Sequence, residues 1–76
     1  MKIKLKNVKN IKISGEYIKL DSLLKYSSIA STGGEAKMLI SDGHVYLNGQ
    51  VCYIRGKKIR SRDIVRYENT LIRIAE

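Results

Sequence analysis

Apolar and polar residues alternate at the start of the chain. Lys2, Lys4 and Lys6 interleave with Ile3 and Leu5, and Lys12 stands between Ile11 and Ile13. This period of two predicts two short strands, broken near Asn7 to Asn10. The stretch carries five lysines and no acid. Such lysines suit an edge strand protected against aggregation, and equally a polyanion contact; the two roles are compatible. After a turn at Ser14-Gly15-Glu16 the period changes to that of a helix. Leu20, Leu23 and Leu24, extended by Ile29, form its stripe. Asp21 and Ser22 suit the positive end of its dipole, and Lys25 the negative end. Tyr26 to Ser31 links to a second helix.

Thr32-Gly33-Gly34-Glu35 reads as the start of that helix. The Thr32 hydroxyl can accept from the Glu35 N–H while the Glu35 carboxylate reaches back to the Thr32 N–H. Ala36, Leu39, Ile40 and Gly43 then share one helical face, which turns Lys37 and Ser41 away from it. Gly43 stands where a helix stop wants a left-handed residue. Val45-Tyr46-Leu47 alternates as a strand, and Asn48-Gly49 is a hairpin signal. The return strand spans Gln50 to Ile54; the period leaves open whether Val51 and Tyr53 or Cys52 and Ile54 face inward. Arg55 to Arg60 is a basic loop in which Gly56 permits a tight turn. Ile64, Val65 and Tyr67 form a strand, Glu68-Asn69 a turn, and Thr70 to Ile74 a last strand able to pair with the N-terminal ones. The expected fold is α+β: two short packed helices against a small, mostly antiparallel sheet closed by the terminal strands.

Seventy-six residues allow a single domain, 1–76. A chain of that size buries only about 60% of its unfolded surface, which leaves little room for a deep catalytic cavity. Fifteen Lys and Arg against seven Asp and Glu give a net charge of +8. Such an excess points to polyanions. The single Cys52 cannot form an internal disulfide, which fits a reducing compartment. With one His there is no ligand set for a structural metal, and no cofactor is expected. His44 reads as a surface or turn residue. No apolar run approaches the roughly 18 residues of a membrane span. MKIKLKNVKN is basic but lacks the apolar region of a signal peptide, so a cytoplasmic protein is expected.

From Arg55 to Arg66 there are six cations and one acid. Like charges repel unless a partner neutralises them, so Arg55, Lys57 and Lys58, with Arg60, are candidate phosphate contacts. The start of the second helix is another candidate. Its first N–H groups are unpaired, and Gly33 and Gly34 allow a phosphate close to the backbone. Gly33-Gly34-Glu35-Ala36-Lys37 is not a nucleotide-hydrolysing phosphate loop, since it lacks that loop's spacing and Gly-Lys-Ser/Thr ending. No carboxylate pair, His–Cys pair or metal cluster stands at usable spacing, so no enzyme is expected.

The order of these segments resembles the S4-like RNA-binding domain, the module named after ribosomal protein S4, and in particular its small stand-alone bacterial members. The matching residues are Ile18-x-Leu20-x-x-Leu23-Leu24-Lys25, Ser31 to Lys37, and Ile40-x-x-Gly43-x-Val45-x-Leu47-Asn48-Gly49. Arg55-Gly56-Lys57-Lys58-Ile59 and Asp63-x-Val65 complete the core motif, about residues 17–67. The resemblance implies the helix–helix RNA-binding motif of that family and a partner that is structured RNA, ribosomal or transfer RNA, with a ribosome-associated role in translation. It implies RNA contacts at Lys25, Thr32, Gly33, Gly34, Lys37, Arg55, Lys57, Lys58 and Arg60, in a monomer. Tyr17, Tyr26 or Tyr53 is available to stack on a base. Two positions depart from the family pattern: Thr32 replaces a frequent basic residue, and Arg62 replaces the glycine usual before Asp63. The alternatives are a ribosome-associated assembly or protein-interaction factor, and a non-specific basic nucleic-acid binder.

Overall fold

In the computed structural model, which describes residues 7–75, the order is β1 (Asn7–Lys12), β2 (Ile18–Lys19), α1 (Leu20–Tyr26), α2 (Gly33–Ser41), β3 (Val45–Leu47), β4 (Gln50–Val51), β5 (Lys58–Ile59), β6 (Ile64–Tyr67) and β7 (Thr70–Ala75). The expected break near Asn7 to Asn10 does not occur. β1 runs through it, paired in parallel with β7 from Asn7–Thr70 to Lys12–Ala75. Asn7 and Asn10 are exposed while their backbone stays in the ladder, so neither asparagine is needed for a turn. Lys2, Lys4 and Lys6 lie outside the described residues. The sheet order is β1-β7-β6-β3-β4, and every pairing except β1–β7 is antiparallel. β2 and β5 form a separate antiparallel pair. This is the expected α+β architecture.

The two helices cover one face of the sheet. Val45, Val65 and Ile72 from the strands meet Leu20, Leu23, Leu24, Ala36 and Ile40 from the helices in one core, completed by Ile59 from β5. Burying each large aliphatic side chain contributes about 1.5–3 kcal/mol, which is where a domain this small gets its stability. Ile29 lies beyond the end of α1 but still packs on that core.

The start of α1 has no side-chain cap; Lys19 at the N-cap provides none. The basic loop supplies the acceptors instead. The Leu20 N–H donates to the Lys57 carbonyl at 2.9 Å and the Asp21 N–H to the Arg55 carbonyl at 3.1 Å. This explains a second difference from expectation. The return strand ends at Val51 rather than Ile54, because the chain must leave the sheet edge to reach α1. Cys52 faces inward at 9% exposure, whereas Tyr53 and Ile54 stay at 62% and 63%. Gly56 is not among the left-handed residues, so the loop turns there without needing a glycine conformation.

Both helices stop in the same way. The Ile29 and Ser28 N–H groups donate to the carbonyls of Leu24 and Lys25, each at 3.0 Å, and those of His44 and Gly43 to Leu39 and Ile40, each at 3.1 Å. Each stop needs one left-handed residue. At α2 it is Gly43 (φ +80), but at α1 it is Ser28 (φ +66), whose Cβ makes that conformation costly. Ser28→Gly is expected to raise stability by about 0.5–1 kcal/mol. The matching rise in melting temperature is several degrees, read by circular dichroism. Lys9, from β1, adds to the α1 stop by donating its Nζ to the Ser27 carbonyl at 2.7 Å. It caps a helix dipole rather than guarding an edge.

Candidate nucleic-acid interface

At the start of α2, Thr32 is in extended backbone (φ −137, ψ 165), and its Oγ1 accepts from the Glu35 N–H at 3.1 Å. Of the expected reciprocal pair this half forms; the return bond from Glu35 to the Thr32 N–H is not made among the described residues. The Ala36 N–H is already committed to the Thr32 carbonyl. The N–H groups of Gly33 and Gly34, in the first helical turn, have no carbonyl to meet within the helix.

These two glycines are not required by the fold. Neither has a left-handed φ. A Cβ on Gly33 would meet the Lys25 Nζ at 4.0 Å, and one on Gly34 the Thr32 Oγ1 at 3.9 Å, both ordinary contact distances. The first of these distances also locates Lys25. The helix stop at Ser28 turns the link back, so that an ammonium from the last turn of α1 stands over the positive end of α2. Lys37 is exposed one helical turn further along α2 and shares the side of Gly33. Lys25, Thr32, Gly33, Gly34 and Lys37 therefore form one group of donors and cations.

The loop residues are placed differently from one another. Arg55 brings its Nε to 3.9 Å from the Asp21 Oδ2, a long, partly exposed pair worth little. Its carbonyl and that of Lys57 are used to cap α1. The Lys57 side chain lines a shallow depression with Val51, Tyr53 and Ile54. Lys58 and Arg60 gather around Tyr17, with Nζ 4.9 Å and the guanidinium carbon 5.9 Å from its ring centroid. The candidate residues thus lie in two groups, one at the start of α2 and one around Tyr17, joined by the loop at the start of α1. The seven residues of α1 separate its two ends by about 10 Å.

The Arg60 backbone is held by two residues outside the predicted contacts, Asp63 and, through it, Asn48. Its N–H donates to the Asp63 Oδ2 at 2.8 Å, and the Asp63 Oδ1 accepts from the Asn48 Nδ2 at 3.1 Å. The Asn48 Oδ1 accepts from the Ile64 N–H at 2.9 Å, while the Asn48 N–H donates to the Ile64 carbonyl at 2.8 Å. Asn48 (φ +51) and Gly49 (φ +87) make the expected two-residue hairpin turn. The same asparagine thus shapes one turn and ties it to another fifteen residues away. Asn48→Ala removes both roles and is expected to cost about 2 kcal/mol, measured by urea unfolding. Arg62 sits at φ +77, so the position where the family usually has glycine does require a left-handed residue, and this chain holds an arginine there.

Tyr67 lies on the inner side of the sheet. Burial first, and then the Glu68 carboxylate, raise its pKa above the usual tyrosine value, so its hydroxyl stays protonated at neutral pH. Among the described residues no cluster of His, Cys, Asp and Glu could hold a metal ion. No helix among them is long and apolar enough to cross a membrane.

A domain of two helices on a five-stranded sheet, with a cationic, backbone-donating helix start and a second basic group around a tyrosine, has the features of nucleic-acid-binding modules. The S4 domain family model matches residues 11–75, nearly the whole chain, and the chain belongs to that family. The S4 domain is a non-catalytic RNA-binding domain, which makes RNA in general the partner class. No curated protein matches the chain.

Proposed function

We propose that the chain acts as a single S4 domain that binds structured RNA, ribosomal or transfer RNA, through Lys25, Thr32, Gly33, Gly34 and Lys37 together with Arg55, Lys57, Lys58 and Arg60. It acts as a monomer in the cytoplasm, in association with the ribosome. The observation that carries this reading is the start of α2. Two adjacent glycines stand where neither backbone conformation nor packing calls for one, directly beneath the Lys25 ammonium. A missing side chain that the protein itself does not need leaves room for something outside it. A phosphate there meets free N–H groups, a helix dipole and a cation at once. The Tyr17 group, displaced along α1, then reaches other phosphates of the same RNA. Phosphate contacts of this kind read shape, as suits A-form RNA, whose deep groove side chains do not enter.

The test is fluorescence anisotropy with a bulged RNA hairpin, a single-stranded RNA and a DNA duplex, each over a salt series. Tightest binding to the hairpin at matched salt, with a slope equivalent to about 4–6 neutralised phosphates, is expected. Equal binding to all three that vanishes at physiological salt would sink the proposal. Gly33→Ala and Gly34→Ala test the site itself. Each should leave the melting temperature equal or higher and weaken hairpin binding.

A protein-interaction role has one observation in its favour, the exposed Tyr53 and Ile54 beside Lys57. Reversing the charges of Lys57 and Lys58 separates the two readings. Loss of RNA affinity supports the first; loss of protein partners at unchanged RNA affinity supports the second.

A further inference from the structure

The face of the sheet turned away from the helices is covered by no described element. The strand register sets one row of side chains across it, Val8 opposite Leu71, Leu71 opposite Arg66, and Arg66 opposite Tyr46. In the next row Arg73 stands opposite Ile64. Val8 and Ile64 are 53% and 38% exposed. The centre of this face is a cation–π pair, the Arg66 guanidinium carbon lying over the Tyr46 ring at 4.3 Å from its centroid. The pair is held from a second side, because the Arg66 Nη1 donates to the Glu68 carbonyl at 3.4 Å.

Among the described residues the charge on this face is mainly positive. Arg66, Arg73 and, on β1, the exposed Lys12 are its cations. The acid at its rim, Asp63, is engaged by Asn48 and the Arg60 N–H. The Glu68 carboxylate stands near the Tyr67 hydroxyl, whose pKa it raises. A flat guanidinium backed by an aromatic ring, flanked by aliphatic side chains and by cations without an ion pair among the described residues, matches an unpaired base with its neighbouring phosphates. The aliphatic flank offers no base-edge hydrogen bonds, so binding here tolerates any sequence.

We propose that this open sheet face is a second nucleic-acid site, specific for single strands, in which a base stacks on the Arg66 guanidinium backed by Tyr46 and the adjoining phosphates lie on Arg73 and Lys12. Since the helices cover the opposite face, both sites fill at once. The domain then holds a folded RNA element and an adjacent unpaired strand together.

The experiment uses the full chain and a fluorescein-labelled twelve-nucleotide oligouridine, with the bulged hairpin as the second probe. Tyr46→Leu is expected to weaken oligouridine binding about tenfold, the loss typical of a stacking side chain, with hairpin affinity unchanged. Arg73→Gln, an exposed position that leaves folding intact, is expected to give a smaller loss and a salt slope lower by about one. Protein saturated with unlabelled hairpin should still bind oligouridine. The proposal is overturned if both variants bind oligouridine like the parent, if the hairpin displaces it one for one, or if the parent does not bind it. An acidic protein as the true occupant would give the last result. Reversing Lys25 and Lys37 separates the two sites: hairpin binding should fall while oligouridine binding persists.

Discussion

Replacing Lys25 and Lys37 together by glutamate is expected to weaken binding to a folded RNA about 100-fold or more. In the proposed interface each lysine would make a charge-assisted contact worth about 1.5 kcal/mol or more, and 1.4 kcal/mol is a factor of ten. Reversal adds repulsion between the carboxylates and the phosphates. The slope of affinity against salt should fall by about two, one for each neutralised phosphate lost. The fold should tolerate the pair of changes, since both side chains are exposed. Lys25 also stabilises the negative end of α1 by about 0.3–1 kcal/mol. The Lys25→Gln, Lys37→Gln pair therefore serves as a milder control that removes charge without adding repulsion. Unchanged affinity in both pairs, with circular dichroism showing folded protein, would place the RNA elsewhere.

The second large effect is on stability. Leu24 is fully buried, and its carbonyl receives the N–H groups of Ile29 and Ala30 at the stop of α1. Leu24→Ala removes the side chain that links α1 to the core and leaves a cavity, at a cost of about 2–5 kcal/mol. At about 0.05–0.15 kcal/mol per residue, a domain of this length has only several kcal/mol in total. The variant should melt at least about 10 °C lower, or be unfolded at 37 °C. RNA binding then falls as well, because the turn that sets Lys25 over Gly33 depends on that helix stop. A melting temperature within two or three degrees of the parent's (on the order of 0.5 kcal/mol) would mean that the core closes over the gap, contrary to the packing described.

The basic loop shows how far side-chain type alone carries a site prediction. Arg55, Lys57, Lys58 and Arg60 look equivalent in a run of six cations, yet the structure gives each a different neighbour. Arg55 meets Asp21, Lys57 lines the depression beside β4, and Lys58 and Arg60 meet Tyr17. The difference comes from the backbone. Two loop carbonyls are used at the start of α1, and Ile59 is pulled into the core, so the intervening side chains are forced to alternate sides. Of the three tyrosines available for stacking, only Tyr17 is brought between two of the predicted cations.

What the amino-acid order determined by itself is local. The Thr32 cap, the left-handed Gly43, the Asn48-Gly49 turn and the stripes of Leu20, Leu23, Leu24, Ala36 and Ile40 each depend on residues within about one or two helical turns, where a side chain's spacing fixes its direction. The tertiary structure decided whatever joins distant segments. It paired two-residue strands at Ile18–Lys19 and Lys58–Ile59, carried β1 through two asparagines, sent Lys9 to the Ser27 carbonyl, and tied Asn48 to Asp63. It also placed Ser28 and Arg62 in a conformation their own chemistry disfavours. Such choices have no signature in neighbouring residues. They follow from closing distant segments around one small core, and that closure is also what brings Lys25 to the start of α2.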